Sequence, residues 1–312
     1  MSRTPAAPVT MPDLRGRTAL VTGASDGVGV EIARGLAAAG ADLVLPVRNR
    51  AKGERAIESI RETAPDAQLG LRDLDLARLE TVHALTDALR AERVPLDILV
   101  LNAGIVLLGD PERHVSQDGF ELHFQTNFLG HFALTTALLP LLQERRSRVA
   151  VQLSLAAGVS TVPWDDLQSS RRYSPLRAYG ASKVELGLFG YELARRSESQ
   201  GWGITVQFSH PGVVPGTAIA PAMRTRDRNG AGRALAERLG GTPSQAAQSA
   251  LLAATAPADA PPGFFGPSGT FHFGGPAASQ PPYRRLAAAP EGAHLWELAE
   301  RLLAVRTPTT AP

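Results

Sequence analysis

The 312-residue chain predicts an α/β fold, a single doubly wound domain with a parallel sheet flanked by helices, on three observations. A β-prone apolar run, Thr18-Ala19-Leu20-Val21, leads into the glycine-rich Thr22-Gly23-Ala24-Ser25-Asp26-Gly27-Val28-Gly29 and then a helical stretch from Val30 to Ala39. A second apolar strand, Ala41 to Val47, completes a βαβ unit of about thirty residues. With 44% hydrophobic residues the chain can bury a sizeable core, and α/β folds of this length commonly form one domain.

Residues 1–13 are rich in Pro, Ala and Thr and lack an apolar stretch able to act as a secretion signal. They predict a flexible tail ahead of a domain over 14–312.

The glycine-rich segment has the spacing G-x-x-x-G-x-G through Gly23, Gly27 and Gly29. Glycines permit a tight turn and close backbone approach, and free N–H groups at a helix start attract a pyrophosphate. Gly23, Ser25, Asp26, Gly27, Val28 and Gly29 are therefore candidate dinucleotide contacts. Where the second strand ends, an acid would bind an adenosine ribose 2′-hydroxyl and a cation a 2′-phosphate. The chain has Arg48 there and Lys52 one helical turn later, which predicts NADP(H). A third strand ends before Asp75-Leu76, and the apolar strand Ile98 to Leu101 runs into Asn102-Ala103-Gly104. Leu134 to Leu142 reads as a buried helix.

Tyr179 and Lys183 stand four apart, on one face of a predicted helix. The chain has two lysines against thirty arginines, so a lysine at this spot suggests a need for a compact ammonium. A nearby cation lowers a phenol pKa; a drop of roughly three units would represent on the order of 4 kcal/mol of bias toward phenolate. The spacing reads as an acid/base pair, although such a pair on an exposed helix face is ordinarily solvated.

Taken together, these motifs resemble the short-chain dehydrogenase/reductase family, from about Arg17 to the C-terminal helix. Thr22 to Gly29 matches the family's T-G-x-x-x-G-x-G loop, and the resemblance implies a Rossmann fold. It also implies that Asp75-Leu76 and Asn102-Ala103-Gly104 flank the adenine, and that Pro211, Gly212 and Val213 lie beside the cofactor. Ser154 would polarise a substrate carbonyl, Tyr179 would exchange its proton, and Lys183 would lower the phenol pKa and bind the nicotinamide ribose. Asn127 would anchor a water in a proton relay. The stretch between Ser154 and Tyr179, with Trp164-Asp165-Asp166-Leu167, together with Ser209-His210-Pro211-Gly212, is most similar to the retinol-dehydrogenase-like branch. The protochlorophyllide reductases are cousins of that branch, but the chain has no cysteine to favour them. One departure is at position 216, where relatives often carry a Thr: here it is Gly, with Thr217 one later.

The resemblance further implies a substrate loop over about 213–240. Its Arg224, Arg226 and Arg228 read as a solvated face or as a surface for an acidic substrate, before a helical stretch near 234–239. Gly263 to Pro267 would help wall the pocket, and Leu295 and Trp296 would pack a terminal helix into the core. Helices 134–142 and the one bearing Tyr179 can pair subunits in relatives, which makes a homodimer or homotetramer plausible alongside a monomer.

Formal charge is +2 with dispersed bases, which suggests no nucleic-acid surface. No cysteine means no disulfide framework, and the seven histidines, His131 and His210 included, stand at no metal-ligand spacing. No apolar run approaches the length that spans a bilayer, and the cytoplasm is the default location. The leading expectation is an NADP(H)-dependent carbonyl reductase or alcohol dehydrogenase acting on a lipophilic small molecule. The alternative is a dinucleotide-binding redox sensor, against which Ser154, Tyr179, Lys183 and Asn127 weigh, because binding alone needs no proton donor.

Overall fold

The computed structural model describes residues 9–215, 239–257, 260–286 and 289–305. Thr217, the three loop arginines and most of the helical stretch near 234–239 lie outside them.

Strands β1 (Thr18–Val21), β2 (Asp42–Val47) and β3 (Leu69–Asp73) alternate with helices α1 (Gly27–Ala38), α2 (Arg50–Arg61) and α3 (Leu79–Ala91). β4 (Leu96–Leu101) leads through a long loop to a π-helical turn, Phe124–Leu129, continuous with α4 (Gly130–Arg145). β5 (Arg148–Gln152), a 3₁₀ turn (Leu155–Gly158), α5 (Pro175–Gln200) and β6 (Thr205–Ser209) follow, then α6 (Pro243–Thr255), β7 (Phe264–Pro267), β8 (Ala277–Gln280) and α7 (Ala289–Ala304). Helix α1 starts three residues before the predicted Val30, because Gly27 itself takes the turn into the helix.

Among the described residues one eight-stranded sheet has the order β3-β2-β1-β4-β5-β6-β7-β8, parallel except for β8, which runs antiparallel to β7. The doubly wound parallel fold expected from the sequence is thus the observed one. Every residue of β4, Leu-Asp-Ile-Leu-Val-Leu, is buried, as befits a strand covered on both faces. One apolar cluster packs α3, α4, α5 and α7 against one face; the other packs α1 and α6 against the opposite face. The strand order reverses between β1 and β4, which opens a crevice at the carboxyl ends of these strands.

One feature departs from the sequence reading. Residues 9–13, assigned to the tail, lie against the fold: the Val9 amide donates to Gln248 Oε1 at 2.7 Å, and Met11 packs on the α1/α6 cluster. Helix α7 packs over α4 and α5, as the sequence reading of the terminal helix expects. Leu295, Trp296 and Ala299 are buried there, with the Trp296 ring 5.0 Å from Phe132 and 5.7 Å from Phe189, and the Arg196 guanidinium 4.3 Å from the indole centroid. Burying such a side chain contributes roughly 2–3 kcal/mol, and the cation–π contact adds to it.

Candidate active site

The crevice is built around Thr22, the last residue before the glycine-rich turn. Its Oγ1 accepts from the amides of Asn102 and Ala103, both at 3.0 Å, while Asn102 Nδ2 donates to the Thr22 carbonyl at 2.8 Å. Those bonds lock the Asn102-Ala103-Gly104 turn to the glycine-rich loop. The Thr22 hydroxyl in turn lies 3.1 Å from His131 Nε2, and His131 Nδ1 lies 3.2 Å from the Asn127 carbonyl. A carbonyl only accepts, so Nδ1 carries the proton and Nε2 is an acceptor, which shares the single Thr22 hydroxyl proton with the Val100 carbonyl at 3.2 Å. His131 is fully buried, and burial pushes its pKa down to about 3, which keeps the imidazole neutral.

Gly23 and Gly27 adopt φ of 69° and 55°, a conformation that favours glycine. Gly29 is required for a different reason: a Cβ there would lie 2.1 Å from the Gly23 carbonyl oxygen and 2.7 Å from Asn102 Nδ2. Helix α1 therefore begins tightly against the turn, and its first amides, as at any helix start, have no intrahelical partner. Its N-cap, Asp26, makes no side-chain capping bond; its Oδ2 instead lies 3.2 Å from Lys52 Nζ. Lys52 stands in the first turn of α2, which Asn49 caps through Oδ1 to the Lys52 amide at 3.0 Å. Ser25, Asp26, Gly27, Arg34, Lys52 and Arg55 line a cleft of about 490 Å³. Arg48, at the end of β2, is exposed. Asp75 Oδ1 accepts from the Ala77 amide at 3.0 Å, and Leu76 is buried against Gly130, where a Cβ would lie 2.5 Å from the Leu76 carbonyl oxygen. Asp73 is paired with Arg50 at 2.8 Å.

The reactive trio converges from three elements. Ser154 follows β5 and caps the 3₁₀ turn, its Oγ accepting from the Ala156 amide at 3.2 Å. The Tyr179 phenol, which α5 presents, lies partly buried beside it, and the Ser154 hydroxyl favours its ionised form. One turn on, the buried Lys183 Nζ donates to the Gln152 carbonyl at 3.1 Å. A Cβ on Gly104 would lie 3.3 Å from Lys183 Nζ and 3.2 Å from Asn127 Oδ1, so Gly104 leaves the space between the two polar groups open.

The structure corrects the electrostatics inferred from the Tyr/Lys spacing. Burial raises the Tyr179 pKa, and the opposing influence is the Ser154 hydroxyl, not the ammonium. Lys183 itself is pushed down to about 8 by burial. Desolvation disfavours both phenolate and ammonium, and Lys183 spends its hydrogen bond on a backbone carbonyl.

Asn127 sits in the π-helical turn, a device that recurs at functional sites. Its Oδ1 accepts from the Ile105 amide at 2.8 Å, and its Nδ2 donates to the Ile105 carbonyl at 3.0 Å and to Ser182 Oγ at 2.9 Å. Ser182 Oγ donates to the Tyr179 carbonyl at 2.7 Å. Asn127 thus ties the Gly104–Ile105 segment to the helix of Tyr179 and Lys183.

Beyond β6, Gly212 has φ of 72°, and a Cβ there would lie 2.4 Å from the Phe273 carbonyl oxygen. The Val213 amide donates to that same oxygen at 2.8 Å, so the β7–β8 hairpin holds the Pro211–Val213 segment. His210 accepts from the Gly212 amide through Nδ1 at 3.2 Å and faces Gln280 Oε1 through Nε2 at 3.0 Å; burial pushes its pKa down to about 4. Tyr283 packs on the Ser154 turn, its ring 3.1 Å from where a Gly158 Cβ would sit.

Sequence reasoning brought Ser154, Tyr179, Lys183, Asn127 and the two glycine turns to this crevice. It did not assign roles to Thr22, His131, Ser182 or Phe273. Thr22 opens the glycine motif and could have been singled out; the others act through contacts that no local pattern reveals. Asp110, Glu112 and His114 form a surface group remote in role from the crevice.

Comparison with known proteins defines the class. The short chain dehydrogenase family profile matches residues 17–228, more than half of the chain, and the protein belongs to that family, on its retinol-dehydrogenase-like branch. Human retinol dehydrogenase 12 is 40% identical over 202 residues, 64% of this chain and 62% of that relative. The match thus spans less than two thirds of the length of that relative. A crystal structure of an uncharacterized protein from Mycobacterium paratuberculosis aligns with a TM-score of 0.75 at 32% identity, covering 96% of this chain and 98% of that one. The RhlG/NADP active-site complex from Pseudomonas aeruginosa aligns with a TM-score of 0.62 at 29% identity over 81% of this chain and 95% of that one.

Proposed function

We propose that the protein is an NADP(H)-dependent carbonyl reductase or alcohol dehydrogenase acting on a lipophilic ketone, aldehyde or alcohol. The observation that carries this reading is the convergence of Ser154, the Tyr179 phenol and a buried Lys183 that, among the described residues, forms no ion pair and donates to the Gln152 carbonyl. A sensor has no use for a proton donor poised in this way.

The residues fit a dinucleotide. The α1 amides are uncapped, Gly29 admits close backbone approach, and exposed Arg48 stands where a 2′-phosphate would be read. Gly23, Ser25, Asp26, Gly27, Val28 and Gly29 would hold the pyrophosphate side, Asp75, Leu76, Asn102, Ala103 and Gly104 the adenosine side, and Pro211, Gly212 and Val213 the nicotinamide side. RhlG, a structural neighbour, has NADP in its active site. A bound nicotinamide supplies or accepts the hydride.

Tyr179 gives its phenolic proton to the carbonyl oxygen as that oxygen gains negative charge, or takes it back in oxidation. Ser154 donates to the same oxygen and places it. Lys183, with a pKa of about 8, is poised to gain or lose a proton near neutral pH one helical turn from Tyr179, where it would bind the nicotinamide ribose. Asn127 fixes the π-helical turn against α5, and with it the alignment of Tyr179 and Lys183. The retinol dehydrogenase relative supports a lipophilic substrate class, and the cytoplasm is the proposed location.

The test is loss of nicotinamide absorbance from NADPH over a panel of aldehydes, ketones and quinones, with Tyr179→Phe in parallel. Turnover by the wild type alone supports the assignment. Tight NADPH binding without turnover in either direction would instead favour the sensor.

A further inference from the structure

We propose that Lys52 serves dinucleotide binding a second time, through Asp26: by holding the Asp26 carboxylate, Lys52 keeps it off the amides that open α1 and leaves them to the cofactor pyrophosphate. The inference rests on reading this loop as a dinucleotide site.

Asp is among the strongest N-capping residues, because its side chain accepts from an amide two or three residues on. Asp26 occupies the N-cap of α1 with φ −160° and ψ 157°, yet makes no capping bond. The residue after it, Gly27, enters the helix with φ of 55°. Ser154, with φ −146° and ψ 157°, caps its own turn, and Asn49 and Thr242 cap α2 and α6, whereas Ser174, with φ −146° and ψ 123°, leaves α5 uncapped. The Asp26 carboxylate is engaged elsewhere: across the cleft Lys52 Nζ lies 3.2 Å from its Oδ2.

The diversion matters because a capping carboxylate and a pyrophosphate compete for the same N–H groups and repel one another. An acid at this position inhibits its own site unless something draws it aside. Lys52 is one of only two lysines against thirty arginines. An ammonium with three donors can hold the carboxylate and still face a second anion, whereas a guanidinium fork pairs with one carboxylate bidentately. Lys52 is therefore a positioning residue for the pyrophosphate as well as a ligand for a 2′-phosphate.

The experiment is a fluorescence titration of NADH and NADPH against the wild-type chain, Lys52→Ala, Asp26→Ala and the double variant. NADH lacks a 2′-phosphate, so Lys52→Ala should leave it untouched if Lys52 reads only that group. The expected result is about a fivefold weakening of NADH in Lys52→Ala, and its return to about the wild-type value once Asp26→Ala is added. NADPH weakens further in Lys52→Ala and recovers only in part. Unchanged NADH affinity in Lys52→Ala, or an equal loss in the double variant, overturns the proposal. Equal wild-type affinity for NADH and NADPH sinks the 2′-phosphate assignment alone, since the NADH series still decides this one. Failure of the wild type to bind either overturns both.

Discussion

The Thr22 hydroxyl and the His131 imidazole meet at 3.1 Å inside the core, and through them the glycine-rich loop, the Asn102–Gly104 turn and the π-helical turn of Asn127 become one hydrogen-bonded unit. Thr22→Val keeps the shape and removes the oxygen, which leaves the Asn102 and Ala103 amides without their acceptor. Each orphaned amide costs about 1–3 kcal/mol. Urea denaturation should show a loss of about 3 kcal/mol, with a parallel fall in dinucleotide affinity. A variant as stable as the wild type would show that the link is incidental.

Arg48 decides the proposed cofactor preference. The wild type is expected to bind NADPH at least about tenfold more tightly than NADH, a difference of about 1.4 kcal/mol. Arg48→Asp should reverse the order, since a carboxylate accepts from a ribose 2′-hydroxyl and repels a 2′-phosphate. Paired titrations measure both ratios.

Lys183 links stability to pH. Its folded pKa of about 8 lies below the unfolded value of 10.5, so the unfolded chain binds more protons between those values and stability rises with pH through that window. Tyr173, Tyr191 and Tyr283 are raised to about 12 by burial and reverse the trend above about pH 10. For the cofactor-free protein the Lys183 contribution should amount to about 2 kcal/mol between pH 8 and 9.5. Lys183→Met should abolish that rise. An identical pH profile in the variant would disprove the linkage.

Two residues beyond Lys183, Glu185 is buried with neither carboxylate oxygen partnered. Burial, and Glu121 to a lesser degree, push its pKa well up, so whatever stability the neutral acid permits is lost as pH rises past that value. Glu185→Met fills the same space without a polar group. Its melting temperature should exceed that of the wild type at pH 7, by about 2 kcal/mol of stability, and the gap should narrow toward pH 4.

Helix α7 covers a face of α4 and α5. Trp296→Ala opens that cover between Phe132 and Phe189 and should cost about 3–5 kcal/mol by thermal or urea denaturation. Analytical ultracentrifugation of the same variant reads whether the uncovered face then self-associates, which the wild type is expected not to do through it.

Much of the site was legible because its parts are short and local. Gly23, Gly27 and Gly29 each announce a backbone constraint, and Tyr179 and Lys183 share a helix face by period alone. The tail was misjudged at residues 9–13, since composition does not show that Val9 will find Gln248 some 239 positions away. The phenol electrostatics were misjudged as well: spacing put Lys183 near Tyr179, but it could not show that the ammonium would turn to the Gln152 carbonyl.

By itself the sequence determined the βαβ start, the parallel sheet and the identity of the candidate proton donor, because periodicity, glycine placement and helix spacing are properties of neighbouring residues. Tertiary structure alone decided that Thr22 and His131 would join two turns, that Phe273 would hold Val213, that α7 would cover α4 and α5, and that burial would set the protonation of Tyr179, Lys183 and Glu185. Those outcomes depend on distance and desolvation among groups far apart in the chain, and neither quantity exists until the sheet has brought them together.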